Sequence, residues 1–388
     1  MRVILFDLLN AQPNKSSKYH GGGEYIKTVF AALVERCKKD VQIVPFYDSQ
    51  RFLDGWIKSL IQSKKLKTID VKSIDQIQMV ADQISADVFF SGLPEHYRRE
   101  WFPQYTKIIG VIHGLRKIEK SHDKYEWKYF DGKQQIISKL RLFKSYMLNK
   151  EKELSYVIDE QKRVIELLDM IICDSYHTYY ALIYYYKDIV LDKLKVFYPP
   201  LKQMSFEANV NIPEEIKGKF LLILGGDRWL KNAYRSVMAI DSLYTRGFLG
   251  EIQTVLVGQT SQTIKASIEN ESMFVWLDYV ENAQLEALYK NCEVFVYPTL
   301  NEGFGYPPLE AMSFGKTCVV SAVCSLPEVC GNAVYYINPY DEGEIANRIL
   351  YAVDMPIKNS VIKNHMSNIY AKQNKDLEAL CDYILNIN

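Results

Sequence analysis

Glu293-Val294-Phe295-Val296-Tyr297 runs directly into Pro298-Thr299-Leu300-Asn301-Glu302-Gly303-Phe304-Gly305-Tyr306-Pro307-Pro308-Leu309-Glu310-Ala311-Met312. The first five residues read as a strand ending at Tyr297. A loop carrying two glycines follows, and a helix is expected to open at Pro308, because proline is tolerated in a first helical turn. Gly315 then closes that helix. A short, nearly continuous apolar strand is expected when both faces of its sheet are covered, as in parallel α/β layers.

The same alternation extends in both directions. Toward the N-terminus, strands are expected at Val3–Phe6, Gln42–Phe46, Asp87–Ser91, Lys107–Ile112, Met170–Cys173 and Lys195–Tyr198. In the second half they are expected at Phe220–Leu224, Gln253–Val257, Phe274–Leu277, Glu293–Tyr297, Thr317–Val320 and Ala333–Ile337. Between them, Glu24–Arg36 places Ile26, Val29, Phe30, Leu33 and Val34 on one helical face, and Asn232–Thr245 does the same with Val237, Ile240 and Leu243. Two runs of strand and helix, divided near Tyr198-Pro199-Pro200, predict an α/β chain of two doubly wound Rossmann-like domains facing across a cleft. The domains are expected at 1–200 and 201–364, with Leu201–Gly218 as linker and a terminal helix at about 365–388 packing back on the first.

Composition narrows the function. Lys+Arg and Asp+Glu are equal at 47 each, so no global field recruits nucleic acid. The seven cysteines include no CxxC pair, and several sit in apolar runs such as Thr317-Cys318-Val319-Val320, which argues for a reducing compartment and against structural zinc. No apolar run approaches the roughly 20 residues that span a bilayer. Arg2-Val3-Ile4-Leu5-Phe6-Asp7 meets an acid after four apolar residues and reads as a first strand rather than a signal peptide. A cytoplasmic protein is expected.

In open α/β sheets, ligands bind beyond the carboxyl ends of strands, and the chemistry-bearing residues cluster there. Glu302 and Glu310 flank Gly303, Phe304 and Gly305; a carboxylate with two acceptor oxygens suits a vicinal diol, and loop amides suit hydroxyls or phosphate. The alternative is a turn of glycines followed by an acid that merely complements the helix dipole. Phe220-Leu221-Leu222-Ile223-Leu224-Gly225-Gly226-Asp227-Arg228-Trp229-Leu230-Lys231-Asn232 brings two cations to the start of a helix that Asn232 could cap. Cations oppose the dipole there, and a bound diphosphate would reverse the sign; otherwise both point into solvent. His20-Gly21-Gly22-Gly23-Glu24-Tyr25 offers close backbone approach before the first helix but lacks the dinucleotide fingerprint. His113, after the strand Lys107–Ile112, could donate to a sugar hydroxyl or carry a proton, or be a structural residue bonded to backbone. Arg116 to Lys150 is rich in Lys and Arg, with Ile136, Leu140, Phe143 and Met147 at helical spacing. This is either a helix packed on the N-terminal sheet or an interfacial one touching anionic lipid at the inner membrane face. No DxD pair or other metal-ligand pattern occurs.

These residues resemble the glycosyltransferase family 4 pattern of the GT-B architecture. Glu302 and Glu310 form its E-x7-E motif inside EGFGYPPLEAMSFG; Ser325-Leu326-Pro327-Glu328-Val329 with Gly331-Asn332-Ala333 continues its pattern; Arg228 and Lys231-Asn232 match its diphosphate-binding residues. In Leu277-Asp278-Tyr279-Val280, Asp278 replaces the family's usual glycine. The resemblance implies retaining, metal-independent transfer of a sugar from a UDP- or GDP-linked donor to a glycan, glycolipid or glycoprotein hydroxyl, with no other cofactor. By the same resemblance the N-terminal domain takes the acceptor. Glu310 holds the ribose, and Arg228 and Lys231 hold the diphosphate, which Gly22 and Gly23 approach. Val280 borders the base, Glu302 with Gly303, Phe304 and Gly305 contacts the donor sugar, and His113 lies against sugar and acceptor. The competing readings are a nucleotide-sugar 2-epimerase-like isomerase and an inactive binding subunit of the same fold.

Overall fold

The computed structural model describes residues 1–13, 21–147, 150–200 and 211–387, without the side chains of 145–147 and 150–153. His20 and the first ten residues of the expected linker lie outside them.

The first unit is built on a seven-stranded sheet of β1 (Arg2–Asp7), β2 (Val41–Tyr47), β3 (Ile69–Asp70), β4 (Val88–Ser91), β5 (Lys107–Ile112), β6 (Met170–Cys173) and β7 (Leu194–Val196). All pairs are parallel, in the order β3-β2-β1-β4-β5-β6-β7. The order reverses between β1 and β4. Helix Gly21–Arg36 lays Ile26, Val29, Phe30 and Leu33 on this sheet, where they pack with Ile4, Phe6, Val88 and Phe90.

The second unit has a six-stranded parallel sheet of β8 (Phe220–Leu224), β9 (Gln253–Val257), β10 (Phe274–Leu277), β11 (Val294–Tyr297), β12 (Thr317–Ser321) and β13 (Tyr335–Ile337). Its order is β10-β9-β8-β11-β12-β13, reversing between β8 and β11. The register places Val294 beside Leu221 and Thr317, so one face carries Leu221, Ile223, Val294, Val296 and Val319 into a core closed by helices Ala233–Thr245 and Glu342–Asp354. Both sheets are buried on two faces, as their unbroken apolar runs require. Among the described residues, no helix is long and apolar enough to cross a membrane.

The expected domain limits need two corrections. The first unit comprises Met1–Leu115, Tyr156–Lys202 and Tyr370–Asn388, and the second comprises Arg116–Ser155 and Gln203–Ile369. Arg116–Ser155 therefore belongs with the second unit, not with the N-terminal sheet. The reason is a set of polar bonds: Arg235 Nη2 to Asp123 Oδ2 at 3.0 Å, both buried, and the Tyr234 amide to the Tyr129 hydroxyl at 2.8 Å. The long helix Asn359–Asn386 joins the first unit from Tyr370, slightly later than 365, because Leu380, Cys381, Ile384 and Leu385 lie in that unit's core. Gln373 Nε2 also donates to the Pro199 carbonyl at 2.6 Å. The two-residue strand β3 has no apolar run of its own and pairs only at a sheet edge, so the sequence does not announce it.

Candidate active site

The turn after β8 is wound by glycine. Gly225 has φ +89°, and a Cβ there would lie 2.5 Å from Lys231 Cγ. Both Gly225 and Gly226 donate their amides to the Val257 carbonyl, at 2.8 and 3.1 Å. A Cβ on Gly226 would lie 2.7 Å from the Gly258 carbonyl, so two strand-end turns meet backbone to backbone. The tightness of this turn lets the Lys231 stem lie against Gly225.

Lys231 and Arg228, expected to act alike, are placed differently. Arg228 is 60% exposed, its nearest carboxylate oxygen being Asp227 Oδ1 at 3.9 Å. Lys231 ends the 3-10 turn Trp229–Lys231 and is nearly buried, its ammonium bonded to the Tyr297 hydroxyl and to Glu302 Oε1. Tyr297 OH and Thr299 Oγ1 also donate to that same oxygen, at 2.7 and 3.1 Å. Burial pulls the Lys231 ammonium below the usual lysine range against the pull of Glu302, and Arg228 and Arg116 push with burial. Burial raises the Glu302 carboxyl, but the charges of Lys231 and Arg116 and the bonds from Lys231 and Tyr297 outweigh it and hold it below its ordinary range. Two cations, Lys231 and Arg116, therefore bear on one carboxylate, and Arg228 and Arg116 both repel the lysine. An arriving anion would relieve the repulsion among them.

Asn232 does not cap the following helix. It sits at φ 59°, makes no capping bond, and spends its amide on the Pro298 and Pro339 carbonyls at 3.0 and 2.7 Å. Its side-chain oxygen accepts from Arg235 at 2.8 Å. It thereby ties together the loops that follow β8, β11 and β13. The Leu300 amide donates to the Leu230 carbonyl at 2.7 Å, with Thr299 Oγ1 3.0 Å from the same oxygen and sharing its one proton between it and Glu302, fixing the β11 loop against the lysine turn.

The helix after β11 opens at Tyr306, not Pro308, and runs to Ser313. Glu310 is thus its fifth residue rather than part of the first turn. Its Oε2 accepts from the buried Tyr289 hydroxyl at 2.8 Å, which fixes the carboxylate's orientation. Gly305 precedes the helix at φ +102°, and a Cβ there would lie 2.5 Å from Leu326 Cδ2. Ser325 Oγ holds the loop by donating to the Glu302 and Phe304 carbonyls at 3.2 and 2.9 Å. Gly303 and Phe304 are buried within it. Val280 lies just past the end of edge strand β10, half-buried beside the capping-box residue Glu281. In a wholly parallel sheet, all these strand ends share one edge.

Residues the sequence did not single out complete the cluster: Tyr297, Thr299, Tyr289 and Arg116. Asn301, buried beside Glu302, donates to Glu119 Oε2 at 2.9 Å, and its own side-chain oxygen has no protein partner. The position of Tyr297 at a strand end was a usable signal. Arg116 and Glu119 gave none, because they arrive from far upstream, Glu119 being 182 positions from its partner Asn301.

In the first unit, Gly21–Gly23 form the first turn of the helix rather than a loop before it. Gly23 is buried, and a Cβ on Gly22 would meet the Leu93 side chain at 3.2 Å. His113 Nε2 donates to the Gly92 carbonyl at 2.9 Å, and Nδ1 faces Asp174 Oδ2 at 3.4 Å. Asp174 is itself fixed by Thr178 Oγ1 at 2.9 Å. Both imidazole nitrogens thus have protein acceptors.

A family model described as "Glycosyl transferases group 1" matches residues 206–373. O-antigen chain mannosyltransferase B of Escherichia coli is 45% identical over 83 residues, 21% of this chain and 22% of that protein. Alignments with the curated relatives span between 9% and 51% of those proteins' own lengths. Among solved structures, sucrose-phosphate synthase from Thermosynechococcus elongatus superposes with TM-score 0.67 at 13% identity, covering 98% of each chain. Anabaena HepE in complex with UDP and glucose gives 0.63 at 14%, covering 99% of each. The fold is that of the GT-B glycosyltransferases: two parallel-sheet, Rossmann-like units.

Proposed function

We propose that this chain is a retaining glycosyltransferase that moves a sugar from a UDP- or GDP-linked donor to an acceptor hydroxyl in glycan assembly. The observation that carries the reading is the Lys231–Glu302–Tyr297 cluster at the switch point between β8 and β11, with Arg228 exposed beside it. The family match over 206–373 and the mannosyltransferase relatives support the reaction class and favour a polysaccharide of the O-antigen kind.

In the proposed mechanism, Arg228 and Lys231 receive the diphosphate and Glu310, braced by Tyr289, receives the ribose hydroxyls. Val280 borders the base. Glu302 and the Gly303–Gly305 loop hold the donor sugar. Gly22, Gly23 and His113, which the family resemblance also assigns to donor and acceptor, lie in the first unit, where the Gly92 carbonyl and Asp174 fix the His113 ring. As the bond from the anomeric carbon to the phosphate oxygen breaks, negative charge builds on the leaving diphosphate, and cations already in place lower the barrier. The acceptor oxygen bonds to the anomeric carbon on the same face and passes its proton to the departing phosphate. In this reading Arg228 and Lys231 do the charge work, so no divalent metal is required.

The test is a panel of UDP- and GDP-sugars assayed for protection against thermal unfolding, since a ligand of the native state raises apparent stability. The stabilising donor is then incubated with and without glycan acceptors. Protection by one donor and product formed only with acceptor support the proposal. An epimerised nucleotide sugar without acceptor, or no protection by any donor, overturns it.

A further inference from the structure

Helix Gly132–Met147 is oriented the wrong way round for a helix of a water-soluble surface. Two of its polar side chains, Gln135 and Ser138, face the protein. Gln135 Nε2 donates to Thr263 Oγ1 at 2.6 Å, Ser138 is buried, and the preceding Asp131 accepts from the Gln262 and Thr263 amides at 2.9 and 3.1 Å. On the far side, Ile136, Leu140 and Phe143 stand in water at 59%, 63% and 64% exposure, with Ile137 at the margin. At 3.6 residues per turn, those three fall within about 60° of one another. Ordinary surface helices do the reverse and turn this stripe inward.

The charge around the stripe has one sign. Lys133, Arg141 and Lys144 border it on one side and Lys139 on the other, and no Asp or Glu occurs between Gly132 and Lys150. The Lys139 ammonium lies 4.1 Å from the centre of the Trp127 ring, so an aromatic adjoins the helix's root. An apolar stripe flanked by cations, on a helix of about 24 Å, matches the interface of a bilayer with anionic headgroups, where side chains enter the acyl boundary while cations stay at headgroup level. The one-sided positive charge selects this occupant over an uncharged or a cationic one.

We propose that helix Gly132–Met147 is a membrane-docking element that lies in the plane of an anionic lipid surface and holds the second unit against it. The helix is fastened to the segment Ser261–Ser267, so docking acts on that unit as a rigid attachment: Lys128 Nζ donates to Ser267 Oγ at 3.3 Å and Ser261 Oγ donates to the Lys128 carbonyl. The proposal is independent of the sugar-transfer reading, because none of its residues belongs to the Lys231–Glu302 cluster.

The test is co-sedimentation of the full chain with vesicles of phosphatidylcholine alone or mixed with phosphatidylglycerol. The wild type is expected to pellet with the mixed vesicles and not with the neutral ones, and less so as sodium chloride rises. In Leu140→Glu/Phe143→Glu the bound fraction falls at least about tenfold, with the thermal midpoint unchanged because both residues are already in solvent. A second variant, Lys133→Glu/Lys144→Glu, keeps the apolar stripe and loses the preference for phosphatidylglycerol. Wild type remaining in the supernatant with mixed vesicles, or either variant binding like wild type, overturns the proposal. So does a wild-type dimer that Phe143→Glu turns monomeric without vesicle binding, since a second copy then covers the stripe.

Discussion

Lys231 and Glu302 are 71 positions apart in the chain and form a nearly buried ion pair that bridges the loops after β8 and β11. The pair stands where the strand order reverses, and Tyr297 bonds to both partners. Burial, with Arg228 and Arg116, pulls the Lys231 ammonium down while Glu302 opposes that pull, and in the proposed mechanism the phosphate of the donor would add to the carboxylate's role.

Breaking the pair from one side should cost more than removing it. Lys231→Ala leaves Glu302 and Tyr297 buried without their cation, and a loss of about 3–5 kcal/mol is expected. Lys231→Ala/Glu302→Ala should be less destabilised than the lysine single variant. Urea denaturation of the three proteins measures this; additive losses would mean the two groups do not interact.

Arg228 should separate binding from folding. Being largely in solvent, it contributes little to stability, and Arg228→Ala should unfold at the wild-type urea midpoint. Its affinity for UDP or GDP should nevertheless fall at least about tenfold by calorimetry. Unchanged affinity would remove it from the diphosphate seat.

Glu302 gives a pH signature with a definite sign. Its folded-state carboxyl lies below the ordinary value of 4.5. The stability it supplies is therefore complete above that ordinary value and is lost as pH falls through the lower folded-state one. Glu302→Gln should flatten this part of the acid limb of stability against pH. Glu302→Ala should also cut turnover more than nucleotide binding; near wild-type turnover would make it a loop residue only.

Gly225→Ala should disturb the lysine without touching a charge. The added methyl meets Lys231 Cγ at 2.5 Å in a backbone conformation with φ +89°. A loss of about 1–3 kcal/mol and a weakened nucleotide complex are expected together. Thermal unfolding with and without UDP or GDP reads both; a wild-type ligand response would show that the turn does not set the lysine's position.

Exhaustive EDTA treatment should leave the transfer rate within a factor of about two, because side-chain cations are assigned the work a metal does elsewhere. Loss of activity restored by manganese would overturn the metal-free reading.

Much of this was legible along the chain. Runs such as Phe220–Leu224 and Phe274–Leu277 are apolar on both faces, and only a strand covered by two layers tolerates that, so those runs and the observed strands coincide residue for residue. The Glu302–Glu310 spacing and the two cations after Gly226 likewise fall at the strand ends where the structure pairs Lys231 with Glu302. Local pattern failed where a partner lay far away: Asn232 looked like a helix cap but bonds to Pro298 and Pro339, and helix 132–147 looked like an ordinary packed helix but exposes its apolar stripe.

Sequence by itself determined the two parallel α/β layers and the strand ends at which polar residues gather, because burial on both faces leaves a periodic signature in neighbouring residues. Only the tertiary structure decided that Lys231 is buried against Glu302 while Arg228 is not, that Tyr289 orients Glu310, and that residues 116–155 belong with the second sheet. Those outcomes depend on which side chains meet across tens or hundreds of positions, and pairing at that range is set by packing and desolvation rather than by local order along the chain.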